Sequence, residues 1–317
     1  MRIIFMGTGE IALPTLQWLI SHQRDDDAGG HEVVAVYTQP DKPVGRKQLL
    51  TAPEIKVIAL ERGIPVRQPE TLRGNEEAIS EFAAFRPDLA VVMAYGQILP
   101  RAVIGAPALA CVNLHASLLP RHRGASPIQA AIRDGDSETG ITLMYVVPKL
   151  DAGDMILKES MAIHPDDTGG TLHDRLAALG PRIIERAMPL FKEGRSAADP
   201  QEESLVTYSG KLGREDGEID WDNDAAAIER LIRAYDPWPG TFSVAIEGGR
   251  EKRLKIFPPV AVLQQTGSPG QVSSADGHLV VGCGSGSILL ETVQPEGGKR
   301  MSAADYLRGR KPTAFEL

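Results

Sequence analysis

The sequence predicts an α/β fold in which a doubly wound, mostly parallel sheet is followed by a small β-barrel. In the first half, short apolar or β-branched runs alternate with helical patterns, which is typical of a sheet covered by helices on both faces. In the last third the runs are short and separated by Gly, Pro and Asp turns, which favours an antiparallel barrel. A length of 317 residues fits two domains, since domains typically have about 100–200 residues.

The elements of the first half follow from periodicity and from the turn residues that bound them. Asp88–Ala94 (DLAVVMA) is apolar throughout, as in a strand buried on both faces of a parallel sheet. The predicted strands are Arg2–Met6, Glu32–Thr38, Ile64–Arg67, Asp88–Ala94, Ala110–His115 and Ile141–Val147. The predicted helices are Ile11–Ile20, Ala52–Arg62, Glu76–Phe85, Ser126–Asp134 and Thr171–Leu190, the last interrupted at Gly180-Pro181.

A polar stretch, Lys192–Ser204, has no apolar period and predicts a linker. We therefore expect a catalytic domain over 1–189, a linker over 190–206 and a barrel-like domain over 207–317. Asp224–Tyr235 is expected to be a helix. Five short strands would form a barrel of the oligonucleotide-binding type, at Thr241–Ile246, Lys252–Val262, Gly270–Ser273, His278–Cys283 and Ser287–Val293.

Composition excludes several classes of protein. The chain is 42% hydrophobic and 24% charged, which is typical of a globular protein. Its net charge of −8 argues against a surface covered with nucleic-acid contacts. Two cysteines, Cys111 and Cys283, are too few for a four-cysteine zinc site. No apolar run approaches the ~20 residues of a membrane span, and RIIFMG at 2–7 is expected to be a strand rather than a secretion signal. We therefore expect a cytoplasmic protein that does not bind a membrane.

The richest segment for chemistry is 111–124, CVNLHASLLPRHRG. In a strand over 110–115, Asn113 and His115 lie on the same face. An asparagine amide can donate to a developing oxyanion, and a histidine can carry a proton near neutral pH. Taken alone, the pair is more often a structural histidine and an asparagine that caps a turn.

A carboxylate after the next predicted strand changes this balance. Asp151 follows Ile141–Val147 and could orient His115 or hold its charged form. An aspartate before Ala-Gly is, by itself, usually a turn residue. We assign that turn role to Asp154.

Three stretches, NLHASLLP, RHRGASPIQ and TGITLMYVVPKLDAGDM, resemble the folate-dependent formyltransferase family. The resemblance implies a Rossmann-like catalytic domain, 10-formyltetrahydrofolate as co-substrate and no metal. It implies that Asn113, His115 and Asp151 are catalytic. It also implies a folate site at Ser117, Leu118, Leu119 and Pro120, with the pterin beside Val91–Gln97 and the strand in the 140s. Cys111, next to this set, is expected to serve packing alone.

Two further blocks resemble the branch of this family that formylates methionyl initiator tRNA for translation initiation. The first is TQPDKPVGR at 38–46, a loop that enters the tRNA acceptor end in that branch. The second, RAYDPWPGTF at 233–242, also occurs in the branch that acts on amino sugars. The chain departs from the pattern at 45–48, which reads GRKQ where relatives often have GRGKK, so the part played by Lys47 is open.

Basic residues form three clusters on this acidic chain. One lies on the loop, one on the barrel hairpin, and one near the C-terminus, at Lys299, Arg300, Arg308, Arg310 and Lys311. Each cluster alone is more often a solvated face than a binding site. Together they could line a track along the tRNA backbone, which would make affinity fall with salt. The expected tRNA-binding residues are Lys42, Arg46, Lys47, Arg250 and Lys252, and we expect a monomer.

Gly7-Thr-Gly-Glu-Ile-Ala12 supports a second hypothesis, because G-x-G-x-x-A between a strand and a helix is the dinucleotide fingerprint. The acidic residue expected after the second strand is missing, since Val36-Tyr-Thr-Gln39 occupies that place. We therefore interpret the glycines as a tight turn that lines the cleft. A non-enzymatic RNA-binding module is a third possibility, which would leave Asn113, His115 and Asp151 without a role.

Overall fold

A computed structural model describes residues 1–23, 30–45, 47–193, 197–265, 267–273 and 277–316. The chain forms two compact units, each discontinuous in sequence. The first consists of Met1–Gly124, Thr139–Met161 and His173–Tyr208. The second consists of Ala125–Glu138, Ala162–Leu172 and Ser209–Leu317. Among the described residues, no helix is long and apolar enough to cross a membrane.

The first part of the chain alternates strands and helices. Its strands are β1 (Arg2–Gly7), β2 (Glu32–Tyr37), β3 (Lys42–Val44), β4 (Leu49–Thr51), β5 (Val66–Arg67), β6 (Leu89–Met93), β7 (Ala110–His115), β8 (Arg123–Gly124), β9 (Glu138–Tyr145) and β10 (Met155–Ala162). Its helices are α1 (Leu13–Ser21), α2 (Glu54–Glu61), α3 (Glu76–Ala84), α4 (Arg101–Ile104), α5 (Pro127–Arg133), α6 (Gly169–Ala177) and α7 (Leu179–Lys192), with a short 3₁₀ helix at Glu10–Ala12.

The first unit is built on a seven-stranded sheet of order β10-β9-β7-β6-β1-β2-β5. Strands β5, β2, β1, β6 and β7 pair in parallel, and β9 pairs antiparallel to β7. Strand β6 is buried along its whole length, which explains its apolar sequence. Because β2 and β6 lie on opposite sides of β1, the carboxyl ends of β1 and β6 border a point where the strand order reverses. Ligands of open α/β sheets bind at such points.

The predicted helix over Thr171–Leu190 is two helices, α6 and α7, that meet at Ala178. The predicted interruption at Gly180-Pro181 is therefore misplaced. Both residues lie in the first turn of α7, where proline lacks only an N–H that has no helical partner. A Cβ on Gly180 would lie 2.1 Å from Thr15 Oγ1, so the glycine allows α1 and α7 to pack closely.

The second unit contains an antiparallel, nearly closed barrel. The remaining elements of the chain are β11 (Tyr208–Ser209), α8 (Ala225–Ala234), β12 (Thr241–Glu247), β13 (Arg250–Leu263), β14 (Val272–Ser273), β15 (Leu279–Gly282), β16 (Ser287–Pro295), β17 (Met301–Ser302), α9 (Ala303–Gly309) and β18 (Pro312–Phe315), with 3₁₀ turns at Glu203–Leu205 and Glu215–Gly217. The barrel strands follow the order β14-β15-β16-β13-β12-β18, and β17 pairs with β16. A bridge between Gln271 and Ala314 brings the two ends of this order together. The predicted fold class is therefore confirmed for both halves of the chain.

Trp221 anchors the core of the barrel. Its ring is fully buried, and its Nε1–H donates to Ser243 Oγ at 2.8 Å, so the one polar atom of the indole is satisfied. Helix α8 contributes Ile228 and Ile232 to the same core. This apolar stripe corresponds to the predicted helix over Asp224–Tyr235, and Asp224 caps its first turn by accepting from Ala227 N.

Candidate active site

Strand β7 carries both Asn113 and His115 near its carboxyl end. Asn113 pairs with Val92 of β6 on one side and Met144 of β9 on the other, so its backbone is fixed in the middle of the sheet. His115 is buried, while Asn113 is half-buried. Among the described residues, none makes a hydrogen bond with the Asn113 amide, which leaves a fixed donor at the sheet edge.

Two contacts define the His115 ring. Its Nε2 lies 2.9 Å from the backbone oxygen of His122. Because a carbonyl oxygen only accepts, Nε2 carries a hydrogen and the ring plane is fixed. Its Nδ1 lies 3.7 Å from Oδ2 of Asp151, within ion-pair range but beyond a direct hydrogen bond. The structure thus brings His115 and Asp151 together, although the hydrogen bond that orients the ring comes from His122.

Asp151 sits in a tight turn between β9 and β10. Its φ of +46° lies in the left-handed region, which aspartate tolerates better than most residues. The amide of Gly124 donates to its Oδ2 at 2.9 Å. A Cβ on Gly153 would lie 1.8 Å from the oxygen of Tyr145, so only glycine fits there. The carboxylate is therefore held from both sides of the turn.

The turn also receives a residue from the predicted linker. Gln201 donates through Nε2 to the backbone oxygens of Asp151 and Gly153, both at 2.8 Å. Sequence reasoning missed this residue because its neighbours are polar and aperiodic. A signal was present in Arg123, a charged residue in the chemistry-bearing segment that would require polar partners if buried.

The segment 117–120 is a rigid turn whose side chains point in different directions. Thr142 Oγ1 donates to Ser117 O at 2.7 Å and accepts from Leu119 N at 3.1 Å. The side chains of Ser117 and Leu119 are fully buried, and Ser117 Oγ donates to Arg121 O. Leu118 and Pro120 are half-exposed, so these two side chains and the backbone are the parts that a ligand can contact.

The glycine turn after β1 bears on the dinucleotide hypothesis. The amides of Thr8 and Gly9 both donate to the oxygen of Ala94, at 3.2 and 3.3 Å. Thr8 Oγ1 donates to Tyr95 O and accepts from Gln39 N. Because these amides are already used within the protein, the turn does not present the free N–H groups that cradle a pyrophosphate.

The residues expected beside a pterin lie just beyond β6. Ala94 and Gly96 both have positive φ, 49° and 85°. The Gln97 amide donates to Pro69 O at 2.9 Å and its oxygen accepts from Leu72 N at 3.0 Å. The segment is thus an ordered turn at the carboxyl end of the sheet.

The expected tRNA loop is an exposed hairpin, β3–β4, in which Lys42 pairs with Thr51. Lys42 and Lys47 are exposed, and Arg46 lies outside the described residues. At its base, hydrogen bonds from Gln68 and then Lys56 lower the pKa of Asp41 below its ordinary value.

Two further expected tRNA-binding residues lie on β13, where Arg250 and Lys252 are both exposed. In the C-terminal cluster Arg310 pairs with Glu247 at 3.3 Å, Arg308 pairs with Asp305, and the Arg300 guanidinium lies 4.1 Å from the centre of the Phe257 ring. Arg250 and Lys252 are therefore better placed to reach a ligand than Arg308 or Arg310.

Cys111, on the same strand as the site, is buried among apolar side chains. Burial raises the pKa of its thiol to about 12. A thiol protonated at neutral pH is a poor nucleophile, in agreement with a packing role.

Comparison with known proteins adds a family to this geometry. The formyl transferase family model matches residues 1–188, and the model of the formyl transferase C-terminal domain matches residues 211–311. The methionyl-tRNA formyltransferase of Akkermansia muciniphila is 50% identical over 314 residues, which are 98% of this chain and 96% of that protein. The methionyl-tRNA formyltransferase of Geobacter metallireducens is 44% identical over 98% of this chain and 96% of that protein.

Solved structures share the fold at much lower identity. An N-formyltransferase from Helicobacter canadensis, in complex with folinic acid and dTDP-3-aminofucose, has a TM-score of 0.67 and 16% identity. The match covers 91% of this chain and 98% of that chain. HypX from Aquifex aeolicus, in complex with tetrahydrofolic acid, has a TM-score of 0.59 and 19% identity over 97% of this chain and 47% of its own.

Proposed function

The chain belongs to the formyl transferase family, and we propose that it transfers a formyl group from 10-formyltetrahydrofolate to the amino group of methionyl initiator tRNA. One observation carries the proposal. Relatives named methionyl-tRNA formyltransferase are 43–50% identical over almost the whole chain, including the hairpin and the barrel. The product, formylmethionyl-tRNA, serves translation initiation.

An amino-sugar acceptor is the alternative within the family. The sugar N-formyltransferase from Helicobacter canadensis is similar in fold, but at 16% identity that likeness extends to the fold alone. The loop TQPDKPVGR favours the tRNA acceptor, because its hairpin carries exposed basic residues suited to phosphates.

The residues present fit a formamide donor. The half-buried amide of Asn113 has no partner among the described residues, and His115 follows two positions later on the same face of β7. When bound, 10-formyltetrahydrofolate supplies the formyl carbon. The bond from this carbon to the folate nitrogen breaks as the bond to the methionyl nitrogen forms, and one proton passes from the amine to the folate nitrogen.

Asn113 is proposed to donate its amide hydrogen to the formyl oxygen as negative charge develops there. The donor is preorganised because β6 and β9 fix its backbone on both sides. Removing one such donor typically costs about 10²–10³ in rate.

His115 is proposed to carry the proton. With Nε2–H bound to His122 O, Nδ1 is the atom left to take up and release it, and Nδ1 faces Asp151. The carboxylate stabilises the ring while it is charged, at 3.7 Å and in a largely buried setting. Proton transfer of this kind contributes roughly 10²–10⁴ in rate.

We propose that the folate lies against Leu118, Pro120 and the backbone of Ser117 and Leu119. The side chains of Ser117 and Leu119 shape this turn from inside, since both are fully buried. We further propose that tRNA contacts Lys42, Arg46, Lys47, Arg250 and Lys252, that residues 1–189, 190–206 and 207–317 act as catalytic domain, linker and tRNA-binding domain, and that the chain works as a cytoplasmic monomer.

The proposal is tested by measuring formylmethionyl-tRNA formation with the wild type and with His115→Ala. We expect His115→Ala to lose at least about 10²-fold in kcat, because the proton carrier is gone. Its circular dichroism and thermal transition should stay close to wild type. A folded His115→Ala variant with wild-type turnover would contradict the assigned role.

A further inference from the structure

Gln201 makes three hydrogen bonds that join two segments of the candidate site. Its Nε2 donates to Asp151 O and to Gly153 O, both at 2.8 Å. Its Oε1 accepts from Arg123 Nε at 2.9 Å. The residue thus uses both amide hydrogens and its oxygen, and it spans the turn at 151–153 and the segment at 122–124.

The network determines which amide atom faces which partner. With the amide flipped, Oε1 would face two carbonyl oxygens and Nε2 would face the Arg123 N–H, so every contact would become repulsive. A glutamine meets this demand because it has two donors and an acceptor on one planar group. A glutamate has no donor to offer the two carbonyls.

The surroundings of Gln201 are also fixed. The backbones of Asp199 and Met155 exchange two hydrogen bonds, at 2.8 and 2.9 Å, which hold this segment at the start of β10. Arg123 is fully buried, and its guanidinium also reaches Glu203 Oε1 at 3.1 Å. The residue that follows Arg123 is Gly124, whose amide holds the Asp151 carboxylate.

We propose that Gln201 is a positioning residue for formyl transfer, which keeps the left-handed Asp151 turn in place so that the carboxylate faces His115. The inference rests on the proposed function of Asp151. Two carbonyl contacts fix the turn backbone, while the Arg123 contact aligns the strand that supplies the Gly124 amide. Gln201 does not itself touch the reacting atoms.

Two substitutions separate this role from folding. Gln201→Glu keeps an oxygen for Arg123 and gains an ion pair with it, but sets a carboxylate against two carbonyl oxygens. Gln201→Ala removes all three contacts without repulsion. We expect thermal stability to fall more in Gln201→Ala, and kcat to fall more in Gln201→Glu, by about 10- to 100-fold, since displacement of about 1 Å can cost 10²-fold.

Gln23→Glu is the matched control. Gln23 is also half-buried, donates to Ile20 O at 3.2 Å and accepts from Val33 N at 3.1 Å, near the amino end of β2. It therefore loses a comparable donor in the same unit, at the sheet edge opposite the site. Its kcat should equal that of the wild type.

The experiment measures kcat and KM for formylmethionyl-tRNA formation, the thermal transition, and the ¹H–¹⁵N resonance of the Gly124 amide. We expect the KM for methionyl-tRNA to be unchanged, the Gly124 resonance to shift in Gln201→Glu, and Gln201→Glu to have little further effect in an Asp151→Asn background. Stability and kcat falling in the same order across the two variants would overturn the proposal, as would an unmoved Gly124 resonance or an equal loss in the Asp151→Asn background. A wild type that forms no formylmethionyl-tRNA would instead contradict the proposed function, and the Gly124 resonance would still decide whether Gln201 holds Asp151.

Discussion

Replacing Asp151 by asparagine changes the charge beside His115 while keeping the turn. Asparagine tolerates the left-handed φ of +46°, and its Oδ1 can still accept from the Gly124 amide. The perturbation therefore removes a negative charge 3.7 Å from Nδ1 of His115 and little else.

The separation between the two groups gives the size of the effect. The two side chains are only 7% and 13% exposed, so an effective permittivity of about 20 is appropriate. At 3.7 Å the attraction between the carboxylate and a charged ring is then about 4.5 kcal/mol. If half to two thirds of this acts in the transition state, kcat falls by about 10²-fold, since each 1.4 kcal/mol is a factor of ten.

Single-turnover formyl transfer at saturating methionyl-tRNA measures this step directly. Asp154→Asn is the matched control, because Asp154 is an exposed aspartate three residues along in the same turn. We expect it to retain wild-type activity, and Asp151→Asn to retain the wild-type thermal transition. Wild-type turnover in Asp151→Asn, or an equal loss in Asp154→Asn, would refute the electrostatic reasoning.

Three further predictions concern packing, reactivity and tRNA. Gly153→Ala should destabilise the fold by about 1–3 kcal/mol and lower kcat, because its Cβ would meet Tyr145 O at 1.8 Å; a wild-type thermal transition would contradict this. Cys111, whose pKa burial raises to about 12, should stay protonated and resist an aromatic disulfide reagent at pH 8, whereas the urea-unfolded chain should react; fast labelling of the folded chain would argue against this. Arg250→Glu with Lys252→Glu should raise the KM for methionyl-tRNA and reduce its salt dependence by about one log unit per lost phosphate contact, with the folate KM unchanged; an unaltered tRNA KM would count against the barrel contact.

The central sheet could be predicted because its strands have strong local patterns. Runs such as Leu89–Met93 are buried throughout and therefore apolar throughout. Met155–Ala162 was missed because it lies at the edge of the sheet, where alternate side chains meet solvent and Lys158 and Glu159 interrupt the apolar pattern.

Short elements were missed for a different reason. The hairpin Lys42–Thr51 and the last strand Pro312–Phe315 have few residues, and their pairing partners, rather than their own propensity, determine their structure. On β13, prolines 258 and 259 lie where the pairing with β16 shifts register, since proline has no N–H for the ladder. Such a shift depends on the neighbouring strand and leaves no periodic signal.

The site was predictable where chemistry and sequence spacing coincide. Asn113 and His115 alternate on one strand, and Asp151 follows the neighbouring strand, so topology alone brings them to the same edge. The role of Gln201 could not be predicted, because it depends on a contact across 50 residues of chain between a polar segment and two backbone oxygens. Likewise, the bond from His115 to His122 O depends on a turn that no periodicity describes.

The central claim is that this chain formylates methionyl initiator tRNA. The most direct measurement offers the wild-type protein 10-formyltetrahydrofolate with methionyl initiator tRNA, glycinamide ribonucleotide and an amino-sugar nucleotide in parallel reactions, and follows the formylated product of each by mass spectrometry. We predict transfer to the tRNA alone. Transfer to either small amine without transfer to the tRNA would contradict the claim, and would require a new role for the hairpin at 42–51 and for the barrel.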